Sequence, residues 1–196
     1  MSIYERYYGK LDCAELYFDE NESANRLKTE RGYTNDVIEK CKKTLLEHTD
    51  CRYCAIRLNI DIKDNTVDFG EFSVDSKSLA KNLSGGRECF IMAVTLGNGV
   101  DRLLKKLSVV SVSEHYISDA LASALAECAA DIAEEKIKGK ETCAPRFSVG
   151  YGDFYIEKQS DVLKILDAYK MLGISLSKTY LMTPQKTITA VIGIKS

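Results

Sequence analysis

Hydrophobic positions recur along this chain with two periods. From Asn35 to Glu47 the residues Val37, Ile38, Cys41 and Leu45, continued by His48, fall at helical spacing and predict a helix with one buried face and Asn35 as its N-cap. Leu11 to Asp19 and a charged segment ending near Arg31-Gly32 also read as helical, so residues 1–50 are expected to form an N-terminal helical flank. From Arg52 to Ile60 the period changes to two, with Cys54, Ile56, Leu58 and Ile60 on one apolar face of a predicted strand. Asp64-Asn65 turns the chain into a short strand, Thr66 to Phe69.

A helix is predicted over Asp75 to Leu83, closed by Ser84-Gly85-Gly86 because glycine takes the left-handed conformation that ends helices. The continuous apolar run Glu88 to Leu96 predicts a central strand that stops at Gly97-Asn98-Gly99. A short helix, Val100 to Leu107, precedes the longest periodic segment, Ser113 to Lys138. There Ile117, Leu121, Leu125, Cys128 and Ile132 form a stripe flanked by Ala120, Ala124 and Ala129, which permit close packing. A further helix spans about Ser160 to Met171. Two apolar segments, Ser175 to Met182 and Thr187 to Ile194, read as a hairpin joined by Thr183-Pro184-Gln185-Lys186. Helices first, interspersed strands and a terminal strand pair predict an α+β domain over residues 51–196, packed with the 1–50 flank as one unit.

Composition narrows the function classes. The 196 residues carry 27 Lys and Arg against 29 Asp and Glu, a net charge of −2 without runs of one sign, so no nucleic-acid partner is indicated. No apolar run approaches the roughly 20 residues that span a bilayer, and Met1 to Arg6 lacks a signal-peptide core, which predicts no membrane association and a cytoplasmic location. Seven cysteines, an odd number, fit reduced thiols better than a disulfide framework.

Several clusters are candidates for chemistry. Cys41, His48, Cys51 and Cys54 have spacing that a tetrahedral zinc site tolerates, yet Cys41 lies on a face with Val37 and Leu45, and Cys54 with Ile56 and Leu58, so both are explained as small core residues. Cys51 and Cys54 also make a CxxC pair, but at a helix end entering a strand rather than at the helix N-terminus that activates a thiolate. The two glycine clusters complete no phosphate-binding fingerprint. Asp119, Ser123, Glu127 and Asp131 repeat every four residues as a polar facet, either a solvated face or the wall of a cleft in which Ser123 or Glu127 binds a hydroxyl or an amine. No carboxylate, histidine and nucleophile assemble into a catalytic set. In Arg146-Phe-Ser-Val-Gly-Tyr-Gly-Asp153 an arginine able to fork onto a carboxylate precedes a tyrosine between two glycines, an arrangement expected to offer exposed backbone donors to a small polar ligand.

These residues resemble a family. Arg146 to Asp153, followed by Leu166-Asp167-Ala168, Gly173-Ile-Ser-Leu176 and Leu181-Met-Thr-Pro184-Gln-Lys186-Thr-Ile-Thr-Ala190-Val-Ile-Gly193, resemble the activation domain of cobalamin-dependent methionine synthase, in its short stand-alone members. Ala93 to Gly97, Val100-Asp101 and Ser118-Asp119-Ala120 extend the resemblance over about residues 75 to 194, with a looser match around Arg31-Gly32-Tyr33. It implies a curved, mostly antiparallel sheet packed with helices and S-adenosylmethionine in a shallow groove. It also implies a partner methionine synthase or related corrinoid methyltransferase that carries cobalamin and is reactivated by reductive methylation, with a flavodoxin-like protein as electron donor. On this reading the chain positions a methyl donor and has no catalytic residues of its own. Arg146 pairs with the ligand carboxylate, and the backbone around Ser148, with Gly150 and Tyr151, holds the rest. Ser123 aligns with a family glutamate, with Glu127 one turn away. The alternative is a docking module for a corrinoid protein that no longer binds the nucleoside.

Overall fold

The computed structural model describes residues 5–19, 26–27 and 35–195. Four antiparallel strands form its central sheet in the order β1 (Glu5–Lys10), β2 (Arg52–Asn59), β6 (Glu88–Thr95) and β9 (Thr187–Ile194). Both faces of this sheet are buried, which is why the β6 sequence reads as an unbroken apolar run. Register makes the separation plain. Ala55, Met92 and Ala190 stand side by side on one face, and Ile56, Ile91 and Val191 on the other.

Over the first face lie α1 (Asn35–His48), α3 (Asn98–Val110) and the long α4 (Val112–Lys138). The predicted stripe of α4 faces inward through Ile117, Leu121 and Leu125, with Ala129 and Ala133 allowing close approach. Ser111 ends α3 and caps α4, accepting from the Glu114 N–H. Against the second face pack a small three-stranded sheet, β3 (Asp61–Lys63), β4 (Thr66–Asp68) and β5 (Ser73–Asp75), and the short helices α2 (Lys77–Asn82), α5 (Gln159–Ile165) and α6 (Ala168–Leu172). The α+β class with a mostly antiparallel sheet is therefore the observed one.

Glycines between β6 and α3 serve packing. A Cβ on Gly99 would stand 2.1 Å from the His48 carbonyl oxygen, so α3 meets the end of α1 at this point because glycine has no side chain. Gly86 likewise lies against the Ile194 carbonyl.

Four local predictions are corrected. Residues 1–50 are not a purely helical flank: Glu5–Lys10 is the edge strand β1, whose backbone completes the pairing of β2. Leu11 to Asp19 is not helical: Cys13–Glu15 form a turn in which the Asp12 carboxylate accepts from the Ala14 N–H and Glu15 from the Asp12 N–H, satisfying donors locally. Leu11 and Leu16 are still buried, beside Cys41 and Leu45. The segment ending at Arg31-Gly32, and the match at Tyr33, lie outside the described residues. The helix read over Ser160 to Met171 is two helices, because Asp167 adopts a left-handed conformation (φ 52°, ψ 40°) between α5 and α6. Ser175 to Met182 is not one strand paired with β9. Ser177 accepts from the Thr179 and Leu181 N–H groups and Tyr180 takes φ 60°, so the segment folds back and its ends pair as β7 (Ser175–Leu176) and β8 (Met182–Thr183), leaving β9 to pair with β6.

Candidate functional site

Beyond β9 the sheet edge is occupied by residues 142–147. The Ala144 N–H donates to the Gly193 carbonyl at 2.8 Å, the Lys195 N–H to that of Thr142 at 2.8 Å, and Phe147 and Val191 bond each other. Neighbouring side chains on such an extended segment project to opposite sides. Phe147 accordingly packs with Phe154 among the residues of the second face, while Arg146 crosses to α4.

There Arg146 meets a row of acids placed by helical spacing. Its Nη1 donates to Asp131 at 2.6 Å and to Glu134 at 2.8 Å, and its Nη2 reaches Glu127 at 3.4 Å. Burial opposes the guanidinium charge, but the bonds to Asp131 and Glu134 outweigh it and hold the Arg146 pKa above its ordinary value. Lys186, from the turn before β9, donates to Asp119 Oδ1 at 2.8 Å and to the Ser123 hydroxyl at 2.8 Å. The facet Asp119, Ser123, Glu127 and Asp131 is thus neither a plain solvated face nor an open cleft wall along its whole length. It is a polar seam joining α4 to the sheet edge through two cations, and Glu134, absent from the four-residue repeat, belongs to it.

Arg146 also lines a cavity of about 500 Å³ with Glu127, Glu134, Pro145, Phe147, Ser148, Tyr151 and Ile188. Of the residues singled out in the sequence, Arg146, Ser148, Tyr151 and Glu127 meet at this cavity, and Ser123 sits one helical turn from Glu127, held by Lys186.

The loop at the cavity mouth is a closed turn. Gly150 has φ +90° and donates its N–H to the Phe154 carbonyl at 2.7 Å, while the Tyr151 N–H donates to Ser148. Exposed backbone donors, expected from the glycine pattern, are therefore not available at Gly150 and Tyr151. Tyr151 is two-thirds exposed at the rim. Asp153 pins the other end of the loop to the start of α2, accepting from the Ser76 hydroxyl and the Lys77 and Ser78 N–H groups. Those bonds, the Ser76 hydroxyl foremost, hold its carboxyl down at about 2.

The thiols do not converge on a metal. Cys41 and Cys51 belong to the core on one side of the central sheet and Cys54 to the core on the other, while the exposed His48 ring bonds the Thr44 carbonyl through Nδ1. Among the described residues no group of three or more His, Cys, Asp or Glu side chains is placed to hold a metal ion. Burial pushes the Cys51 and Cys54 thiols up to about 12, the opposite of an activated CxxC pair. No helix among the described residues is long and apolar enough to cross a membrane.

Neither a protein-family model nor a curated protein matches this chain. Its fold is nevertheless shared: the crystal structure of the MetH reactivation domain bound to AdoHcy superposes with a TM-score of 0.73 at 12% identity, covering 97% of this chain and 78% of that one. The chain has the fold of that reactivation domain.

Proposed function

We propose that this chain binds S-adenosylmethionine in the cavity beside Arg146 and presents it to a cobalamin-carrying methionine synthase or related corrinoid methyltransferase, supporting reductive methylation in trans. The observation that carries the reading is the cavity itself: a hollow of about 500 Å³ with an arginine, a glutamate and a tyrosine on its walls, in a fold whose solved relative holds AdoHcy. Its size suits a small molecule, for which pockets of about 300–1,000 Å³ are usual.

The geometry also suggests how an α-amino acid head group is received. Nη1 of Arg146 is committed to Asp131 and Glu134, whereas Nη2 has only the 3.4 Å contact to Glu127. A ligand carboxylate takes that Nη2 corner, and Glu127 turns to accept from the ligand ammonium. The Tyr151 ring at the rim offers a stacking surface to the adenine, Ser148 a hydroxyl, and Gly150 the tight turn that sets both. Ser123 acts through Lys186 by fixing the upper end of the seam. When bound, S-adenosylmethionine supplies the transferable methyl group; this chain orients it. The seven free cysteines agree with a reducing, cytoplasmic setting in which a flavodoxin-like protein delivers the electron.

A second reading, a docking module for a corrinoid protein without the nucleoside, is favoured by one observation: three carboxylates already surround Arg146. Titration calorimetry separates the two. Micromolar binding of S-adenosylmethionine, abolished in Arg146→Ala, supports the first; absence of heat up to millimolar ligand leaves the second.

A further inference from the structure

The charge balance of the cavity bears on the state of the ligand's sulfur. Of the three carboxylates that Arg146 faces, Glu127 and Glu134 line the cavity and the half-exposed Asp131 stands outside the lining, so against one guanidinium the walls carry a net charge of −1, a balance that the zwitterionic head group of the ligand leaves unchanged. The neighbouring cation on the same seam, Lys186, is consumed by Asp119 at 2.8 Å and does not alter the sum. Glu127 and Glu134 are themselves cavity walls, and the Glu134 side chain is only 15% exposed, so solvent screens it poorly. The Tyr151 ring stands at the rim, and the faces of aromatic rings attract cations. An acidic, half-enclosed hollow with an aromatic rim favours an onium ion over a neutral group of the same shape.

We infer that the cavity selects the sulfonium form of the adenosylated amino acid over the neutral thioether, so that it retains the methyl donor and releases the demethylated product. The inference rests on the ligand proposed above. When a nucleophile supplying the bonding pair takes the methyl group, the electrons of the broken S–C bond stay on sulfur as a lone pair. The ligand then loses one unit of positive charge, and with it the attraction of the net negative wall.

Calorimetric titration of the intact chain with three ligands tests this: S-adenosylmethionine, S-adenosylhomocysteine, and the analogue in which a carbon bearing an ammonium replaces the methylated sulfur. Both cationic ligands are expected to bind at least tenfold more tightly than the thioether, about 1.4 kcal/mol. In Glu127→Gln that ratio shrinks at least threefold, with the fold verified by circular dichroism. Glu134→Gln, at the other acid of the wall, provides the same comparison if Glu127→Gln does not fold. Thioether binding as tight as that of the cationic ligands, or a ratio unchanged in the folded variants, overturns the charge selectivity while leaving the nucleoside reading in place. No binding of any of the three overturns both.

Discussion

Phe147 and Val191 exchange backbone hydrogen bonds in both directions, each 2.9 Å long, across the outer edge of the central sheet. This reciprocal pair decides where Arg146 goes. With Phe147 turned into the core, its neighbour has to leave on the other side, towards α4, where acids spaced four and three residues apart receive it.

Arg146 therefore holds structure as well as ligand. Arg146→Ala is expected to lower unfolding stability by roughly 1–2 kcal/mol in urea. That is below the 3–5 kcal/mol of a broken, fully buried pair, because the side chain keeps 20% exposure. Arg146→Lys restores the charge without the planar fork. It should recover part of the stability while binding S-adenosylmethionine roughly 10- to 100-fold more weakly than the parent.

The Asp153 anchor makes the site loop acid-sensitive. Its pKa in the native state, about 2, lies below the ordinary 3.8, so the stability it contributes is present above about pH 4 and drains away as pH falls towards 2. Asp153→Asn should melt a few degrees lower than the parent at pH 6. Thermal melts between pH 6 and 2 should show the two proteins converging as the acid limb is descended; a constant gap across that range contradicts the assignment.

Two adjacent glycines should behave differently. Gly86→Ala places a methyl 2.2 Å from the Ile194 carbonyl oxygen, which forces β9 or the preceding loop to move and should cost about 2–3 kcal/mol by chemical denaturation. Gly85 has φ +87° with open space around it, so Gly85→Ala meets only the conformational penalty, about 1 kcal/mol.

Thiol accessibility follows burial. Cys13 and Cys143 are half-buried and the other five cysteines are buried, with Cys89 wholly enclosed and its thiol pushed well up by desolvation. Labelling of the native protein with a chromogenic disulfide at pH 8 should release two equivalents promptly and the remaining five only after denaturant is added. Fast labelling of Cys51 or Cys54 would contradict this packing.

Much of the architecture was legible in the pattern of side chains, since α1, β2, β6, α4 and β9 all carry long, one-period apolar signals. The strand Glu5–Lys10 carries none: it lies at an edge, buries little, and sets two adjacent tyrosines among charges and a glycine. The break at Asp167 and the fold-back after Ser177 rest on single residues with positive φ or on a serine bonding its own loop, which periodicity does not register. At the site, Arg146, Ser148 and Tyr151 were visible in the glycine-flanked loop, and Glu127 in the helical repeat. Glu134 escaped because it sits three residues after Asp131 rather than four; extending the facet by the alternate helical step finds it. That the Gly150 N–H is spent internally depends on Phe154 folding back, a tertiary fact with no local sequence mark.

Residues 142–147 have one more effect. A bare strand margin is a template on which another polypeptide can grow, and β9, with its apolar composition, would be an inviting one. Here that margin is already taken by a piece of the same chain, in which Pro145 brings no N–H and surrenders its carbonyl to the Asn82 amide at 3.2 Å. The stretch that aims a cation at the cavity thereby also denies this flank of the molecule to amyloid-like extension.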